Sequence, residues 1–256
     1  MIYLDNSATT PLHPKVKEAI INALDLFGNP SSMHTVGRQV RAMLEESRKE
    51  IANFLNCSPN EIIFTAGASE ANNTVLKSAT NCCAFCEENR GHIITSNIEH
   101  PSVLNTLDCL AKKHVDITHV KVKENGIIDP ADIEAAIRPD TMMISIMYVN
   151  NEIGTIQPIE EIASIAKKHN IPMHTDAVQA VGKIPIDLQR LNVDFLSMSG
   201  HKIYARKGIG ILYKRNNAKN ICPLIVGGHQ ENSMRAGTEN SLGIIAIGEA
   251  INQARL

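Results

Sequence analysis

The sequence predicts an α/β fold built on a parallel, helix-covered sheet. Two observations carry that expectation. From Glu61 onward, short apolar stretches alternate with polar loops and helical patterns, and strands that alternate with helices argue for a parallel sheet. The polar residues that stand out fall just beyond strand ends, where open parallel sheets bind their ligands.

Taken in order, Ile2-Tyr3-Leu4 reads as a short strand and Asn6 to Pro14 as a turn-rich lead-in. Val16 to Leu26 has helical spacing and is stopped by Gly28-Asn29-Pro30. Val36 to Leu55 is a longer amphipathic helix with Val40, Met43, Leu44, Ile51, Phe54 and Leu55 on one face and a solvated charged face opposite. The strands that follow are Glu61–Thr65, His92–Ser96, Ile117–Val122, Met142–Val149, Pro172–Thr175 and Val193–Ser199. Between them lie helices near Ser69–Thr80, Pro101–His114, Pro130–Arg138 and Ile159–His169. Ile209–Tyr213 reads as a strand after a glycine turn, and Asn240 to Leu256 as a helix that Gly243 and Gly248 weaken without ending.

A length of 256 residues suits one large domain or one and a half. A hydrophobic fraction of 43% supports a sizeable core. A formal net charge of −2 points to neither a nucleic-acid partner nor a membrane surface. No apolar run approaches spanning length, and the N-terminus lacks a charged-then-apolar leader. The expected location is the cytoplasm, with Cys57, Cys82, Cys83, Cys86, Cys109 and Cys222 as reduced thiols.

Five strand ends carry candidate functional residues: Gly67-Ala68-Ser69, His100, Asn150-Asn151, Asp176 and Lys202. Lys202 follows a buried strand. A partly desolvated amine is a weaker base and a better nucleophile, as a Schiff-base lysine must be; the plain alternative is a surface lysine in a turn. Gly67-Ala68-Ser69-Glu70 opens a helix, where free N–H groups and the dipole attract phosphate. A serine cap over a charged first turn fits the same residues equally well. His100, before Pro101, reads as a helix cap or a loop histidine. Asp176 either caps the helix begun by Ala177 or pairs with a cationic group, since a buried carboxylate is unfavourable alone. Gln179 shares its helical face. The three-glycine nicotinamide fingerprint is absent from Gly67-Ala68-Ser69.

These stretches resemble the NifS/IscS-type pyridoxal phosphate cysteine desulfurases, class V aminotransferases of fold type I. The resemblance rests on Tyr3-Leu4-Asp5-Asn6-Ser7-Ala8-Thr9-Thr10, Phe27-Gly28-Asn29-Pro30-Ser31-Ser32, Glu99-His100-Pro101 and Asn150-Asn151-Glu152-Ile153-Gly154-Thr155. It continues through the run from His174 to Asp187, Ser199-Gly200-His201-Lys202 and Arg235-Ala236-Gly237-Thr238-Glu239-Asn240, covering essentially the whole chain in order.

The resemblance implies a large domain at 15–256 after an N-terminal segment at 1–14, with a mainly parallel sheet between helices on both faces in three layers. It implies the cofactor pyridoxal 5′-phosphate, held as an imine by Lys202. Ala68, Ser69, Ser199 and His201 would bind its phosphate, and His100 would stack over its ring and take part in proton transfer. Asp176 would sit on the ring nitrogen, Gln179 on the phenolic oxygen, and Asn151 near the same region and the substrate carboxylate. Thr238 would reach the phosphate of a neighbouring subunit, which implies a homodimer with shared sites. L-cysteine would be the substrate, alanine a product, and a sulfur acceptor or iron–sulfur scaffold protein the partner. Selenocysteine lyase is a close variant. A protein that keeps the pocket without the chemistry is another alternative.

Departures qualify that picture. Relatives carry a sulfur-accepting cysteine in a smaller C-terminal domain and a substrate-carboxylate arginine; no cysteine here aligns with the first and the second is missing, so the chain is either a fragment or one that cannot complete the reaction, and the uncapped final helix favours the fragment. The usual Gly-Pro-Lys-Gly after the lysine is replaced by Ala205-Arg206-Lys207-Gly208, and the stretch before the Arg-x-Gly-Thr motif, Glu231-Asn232-Ser233-Met234, is less basic than is typical. Cys82-Cys83-Ala84-Phe85-Cys86 contains one Cys-x-x-Cys, a weak metal signal without a second pair. His13, His34, His92, His114, His119, His169 and His229 are expected mostly on the surface or in loops.

Overall fold

The computed structural model describes residues 2–80 and 91–254. Helices α1 (Pro14–Asn22) and α2 (Thr35–Leu55) come first. Pro14 opens α1, where its missing N–H costs nothing. Asn56 closes α2 in the left-handed conformation, φ 54°. Strands and helices then alternate as β1 (Ile62–Thr65), α3 (Ala68–Ala79), β2 (Gly91–Ser96), α4 (Pro101–Ala111), β3 (Val115–Val120) and α5 (Pro130–Ala135). The series continues with β4 (Thr141–Ser145), α6 (Ile159–Lys168), β5 (Met173–Asp176), α7 (Leu188–Leu191), β6 (Phe195–Ser199), β7 (Gly210–Lys214) and α8 (Ser241–Ala254).

The sheet order is β1-β7-β6-β5-β4-β2-β3. Strands β2 to β6 pair in parallel, and β7 runs antiparallel to both β6 and β1. Strand β1 therefore points the same way as β6, and its C-terminal end joins the common rim. Gly210 permits this. A Cβ there would lie 2.6 Å from Gly67 Cα and 2.8 Å from Met198 O, so a side chain would push the turn after β1 off the sheet.

Helices cover both faces, in three layers. Alternate strand residues divide between them, as the period of two requires. Phe64, Ile94, Ile144, Leu196 and Ile211 join a core with Val40, Leu44, Ile51, Ile162 and Ile247. Their neighbours Ile63, Ile93, Met143, Phe195 and Leu212 join Val75, Leu76, Val103 and Leu107 on the opposite face.

Several expectations need correction. Ile2-Tyr3-Leu4 forms no strand; it is exposed and pairs with nothing in the sheet. Strand β4 stops at Ser145, although Ile146 N and Tyr148 N still donate to His174 O and Asp176 O, at 3.1 and 2.9 Å. Helices α1, α4 and α5 stop short of the expected ends, and α7 was not anticipated. His92 is buried in β2, its ring nitrogens 2.9 Å from Thr141 Oγ1 and 2.7 Å from Thr118 Oγ1. Cys57 and Cys109 are free thiols, but Cys222 is disulfide-bonded, against the expectation of six reduced cysteines. Cys82, Cys83 and Cys86, and the last two residues of the expected final helix, Arg255 and Leu256, lie outside the described residues. Among the described residues no helix is long and apolar enough to cross a membrane, and no cluster of three histidine, cysteine or acidic side chains could hold a metal.

Gly248 has a packing role. A Cβ there would sit 2.7 Å from Ser47 Cβ, so the glycine lets α8 lie close on α2. Gly248→Val should wedge these helices apart and lower stability by roughly 1–3 kcal/mol. Urea denaturation measures this; an unchanged midpoint would contradict the close approach.

Candidate active site

The C-terminal ends of the strands open onto a cavity of about 510 Å³. Ala68 and Ser69 reach it from the start of α3, His100 from the N-cap of α4, Asn151 from beyond β4, Asp176 from the end of β5, and Lys202 from beyond β6. Val178, Gln179, Ser199, His201, Lys207 and Gly208 complete most of the wall.

Asp176 is 5% exposed. Its Oδ2 accepts from Asn72 Nδ2 at 2.7 Å and its Oδ1 from Val178 N at 3.1 Å. Burial pushes the carboxyl above its ordinary range; those two hydrogen bonds, and the charges of His100 and Lys202, oppose the shift. Asn72 also donates to Ser102 Oγ at 2.9 Å. Ser102 in turn lies against His100: its N donates to His100 Nδ1 at 3.1 Å, and its Oγ is 2.8 Å from the same atom. One amide thus connects the carboxylate at one strand tip to the imidazole at another.

Lys202 is half-buried, and burial lowers it below the ordinary lysine range, with Asp5 and Asp176 opposing. Its Nζ donates to Ser7 O and, at 2.7 Å, to Ala8 O. The segment that carries these carbonyls is tied down beside it. Thr10 N and Oγ1 both donate to His201 O at 2.9 Å, and His201 Nδ1 is 3.1 Å from Thr9 Oγ1. Gln179 Nε2 also donates to Ser7 O, at 2.9 Å, while its Oε1 accepts from Lys183.

The same cavity also carries groups able to hold an anion. The N-cap of α3 is Gly67, with no side chain capping the first turn. Ser69 and Ser199 bring hydroxyls, while Lys202, Lys207 and His201 bring nitrogen donors. Burial first, then the charges of Lys202 and Lys207, lower the basicity of His201. In the altered Ala205-Arg206-Lys207-Gly208 loop, Lys207 and Gly208 line the cavity and Arg206 does not.

Nine of the ten residues expected from sequence line this one cavity. Thr238 does not; it is exposed on the segment before α8. Asn151 lines the wall but donates to Glu152 at 2.6 Å, while neighbouring Asn150 is structural, binding Ile98 O and capping Glu152 N and Ile153 N. Sequence reasoning missed Asn72, Ser102 and Ser7. It also assigned nothing to Glu99, a fully buried acid whose Oε1 accepts from Ser96 Oγ at 2.5 Å and Met147 N at 2.9 Å. Burial, its largest influence, pushes Glu99 up to about 8, with Asp176 adding to the rise. The described cysteines line no part of the cavity.

The chain belongs to the class-V aminotransferase family, whose model matches residues 2–255. Within that family it resembles the cysteine desulfurases. It is 50% identical over 257 residues to cysteine desulfurase IscS of Dictyoglomus turgidum, covering 100% of this chain and 64% of that protein. It is 47% identical to cysteine desulfurase IscS of Methanosarcina thermophila, covering 99% and 62%. The chain thus spans less than two thirds of the length of these relatives. Among solved structures, SspA in complex with cysteine superposes with a TM-score of 0.94 at 43% identity, over 98% of this chain and 72% of that one. A NifS-like protein matches with a TM-score of 0.94 at 40% identity, over 99% and 69%.

Glu99 gives a pH test. Its folded value, about 8, lies above the ordinary 4.5. Between those values the native chain keeps a proton that the unfolded chain has released, so this carboxyl lowers stability as pH rises through the window. Native protein should therefore lose stability relative to Glu99→Gln, by at most about 1.4 kcal/mol per pH unit. Paired denaturation curves measure the difference; a pH-independent gap would contradict the assignment.

Proposed function

We propose that this chain binds pyridoxal 5′-phosphate in the cavity and that the protein removes sulfur from L-cysteine. The carrying observation is that a buried carboxylate, Asp176, and a half-buried amine, Lys202, line one cavity with the side-chain-uncapped start of α3. The cofactor's groups suit that donor set. Asp176 would hold the ring nitrogen in its protonated form, which relieves a carboxylate that is otherwise buried without a cation. Lys202 would hold the aldehyde carbon, and burial already favours its nucleophilic neutral form. Ala68, Ser69, Ser199 and His201 would hold the phosphate, with the dipole of α3 adding to the attraction.

When bound, the cofactor supplies an electron sink for the charge left at the substrate α-carbon. The protein's residues do the remaining work. Lys202 takes the α-proton, with His100 as a second proton carrier at the cavity mouth. Ser102 orients the His100 ring through Nδ1. Gln179 and Asn151 supply amides toward the phenolic oxygen and the substrate carboxylate. Thr238 is proposed to serve the phosphate of a second subunit in a homodimer. No described cysteine is assigned the sulfur-accepting role. A sulfur-acceptor or iron–sulfur scaffold protein as partner, and a cytoplasmic setting, belong to the same reading.

The experiment is borohydride reduction of the chain after incubation with pyridoxal phosphate, followed by peptide mass analysis. The expected result is one stable adduct on Lys202, absent in Lys202→Ala. No adduct on the native chain, or an equal adduct on Lys183, overturns the reading. Cysteine-to-alanine turnover then separates an active desulfurase from a protein that only binds the cofactor, and selenocysteine as competing substrate separates the lyase.

A further inference from the structure

We propose that Arg235 is a positioning residue for the anion-binding turn: it holds the Glu70 carboxylate in the place where it clamps Ala66, and offsets its charge against the phosphate. The proposal rests on the pyridoxal phosphate reading above.

The turn at Ala66-Gly67 joins β1 to α3 and, with Ala68 and Ser69 at the start of the helix, lines the cavity. With glycine at the N-cap, no cap side chain fixes it. It is fixed from behind. Glu70 Oε2 accepts from Ala66 N at 2.9 Å, and Thr65 Oγ1 donates to Gly67 O at 3.0 Å. Glu70 is gripped by Arg235, whose Nε donates to Oε1 at 3.0 Å and whose guanidinium also reaches Oε2 at 3.4 Å. Both side chains are largely buried, 24% and 12% exposed, so water screens the pair weakly.

Arg235 reaches this place through an unusual backbone reversal. Glu231, Asn232 and Ser233 are consecutive residues at φ 47°, 54° and 65°, which non-glycine residues seldom adopt and which persist only where the surroundings fix them. The surroundings do so here. Glu231 is buried and accepts from Arg48 at 2.8 and 3.0 Å and from Phe64 N at 2.8 Å. Beyond Arg235, Ala236 N donates to Ile225 O and Gly237 N to Gln230 Oε1, each at 3.1 Å. The reversal turns Arg235 back onto the start of α3.

Charge gives the pair its purpose. Glu70 and Asp176 are the acidic side chains on the cavity wall. Asp176 faces the end proposed for a ring nitrogen, whereas Glu70 belongs to the turn proposed for a phosphate. A carboxylate without its cation there repels a dianion. Arg235 lies behind the turn and off the wall, so it acts through Glu70 and not on the ligand.

The test is the dissociation constant of pyridoxal phosphate, from absorbance titration, with inorganic phosphate as competitor. Thermal unfolding of each variant confirms that it is folded. Arg235→Gln should weaken both ligands about tenfold or more. Adding Glu70→Gln to that variant should restore most of the loss, because the repelling charge is gone and the glutamine carbonyl can still accept from Ala66. Arg235→Lys, which keeps the charge, should fall between. If Arg235→Gln does not fold, Glu70→Gln alone decides, since it should bind phosphate at least as tightly as the native chain. Native affinity in Arg235→Gln, no recovery in the double variant, or a tenfold loss in Glu70→Gln overturns the proposal. A native chain that takes up no pyridoxal phosphate overturns the underlying reading and this proposal together; native uptake with an unaltered Arg235→Gln overturns this one alone.

Discussion

A carboxylate kept out of water at the tip of β5 is the constraint around which this structure is arranged. Asp176 is 5% exposed and, among the described residues, its hydrogen-bond partners are an amide and a backbone N–H. Burial raises its affinity for a proton, and burial at the neighbouring tip lowers the affinity of Lys202. Both shifts are toward neutrality. A ligand that offers a proton-bearing ring nitrogen to one group and an electrophilic carbon to the other would relieve both. The fold supplies the convergence because β5 and β6 are parallel neighbours, with Asp176 opposite Ser197 in register.

Around that pair, the connections run between distant parts of the chain. Asn72 on α3 binds both Asp176 and Ser102, so the helix proposed to hold the phosphate also orients the carboxylate and, through Ser102, the ring of His100. The Ser7–Thr10 stretch lies along 201–204 and presents carbonyls to Lys202. Glu99 sits below, tying the loop after β2 to Met147 beyond β4. Asn72 and Glu99 each bond to two separate parts of the chain, so a change at either alters more than one of these contacts.

The sheet and the rim were legible because they rest on local signals. Apolar runs marked the strands, and most of the polar residues at their ends line one cavity. Strand order was not legible, since register depends on which apolar faces meet. Nor was the exposed course of Ile2-Tyr3-Leu4: three apolar residues read as a strand, but a strand needs a neighbour. His92 and His174 were hidden for a similar reason. Each lies buried among hydroxyls of adjacent strands, Thr118 and Thr141 for the first, Ser145 and Ser197 for the second. Burial holds His174 down to about 3. The couplings of Asn72 to Asp176 and Glu70 to Arg235 join residues far apart in sequence, which no spacing rule reaches.

On the proposed reading, the carboxyl group of Asp176 would fix the protonation of a bound pyridoxal ring. The most direct measurement is the nitrogen NMR shift of pyridoxal phosphate, isotopically labelled at the ring nitrogen and bound to the chain at mildly alkaline pH. A protonated ring nitrogen is expected in the native chain, and its loss in Asp176→Asn. An unprotonated nitrogen in the native chain, or a shift that ignores the substitution, would contradict that reading.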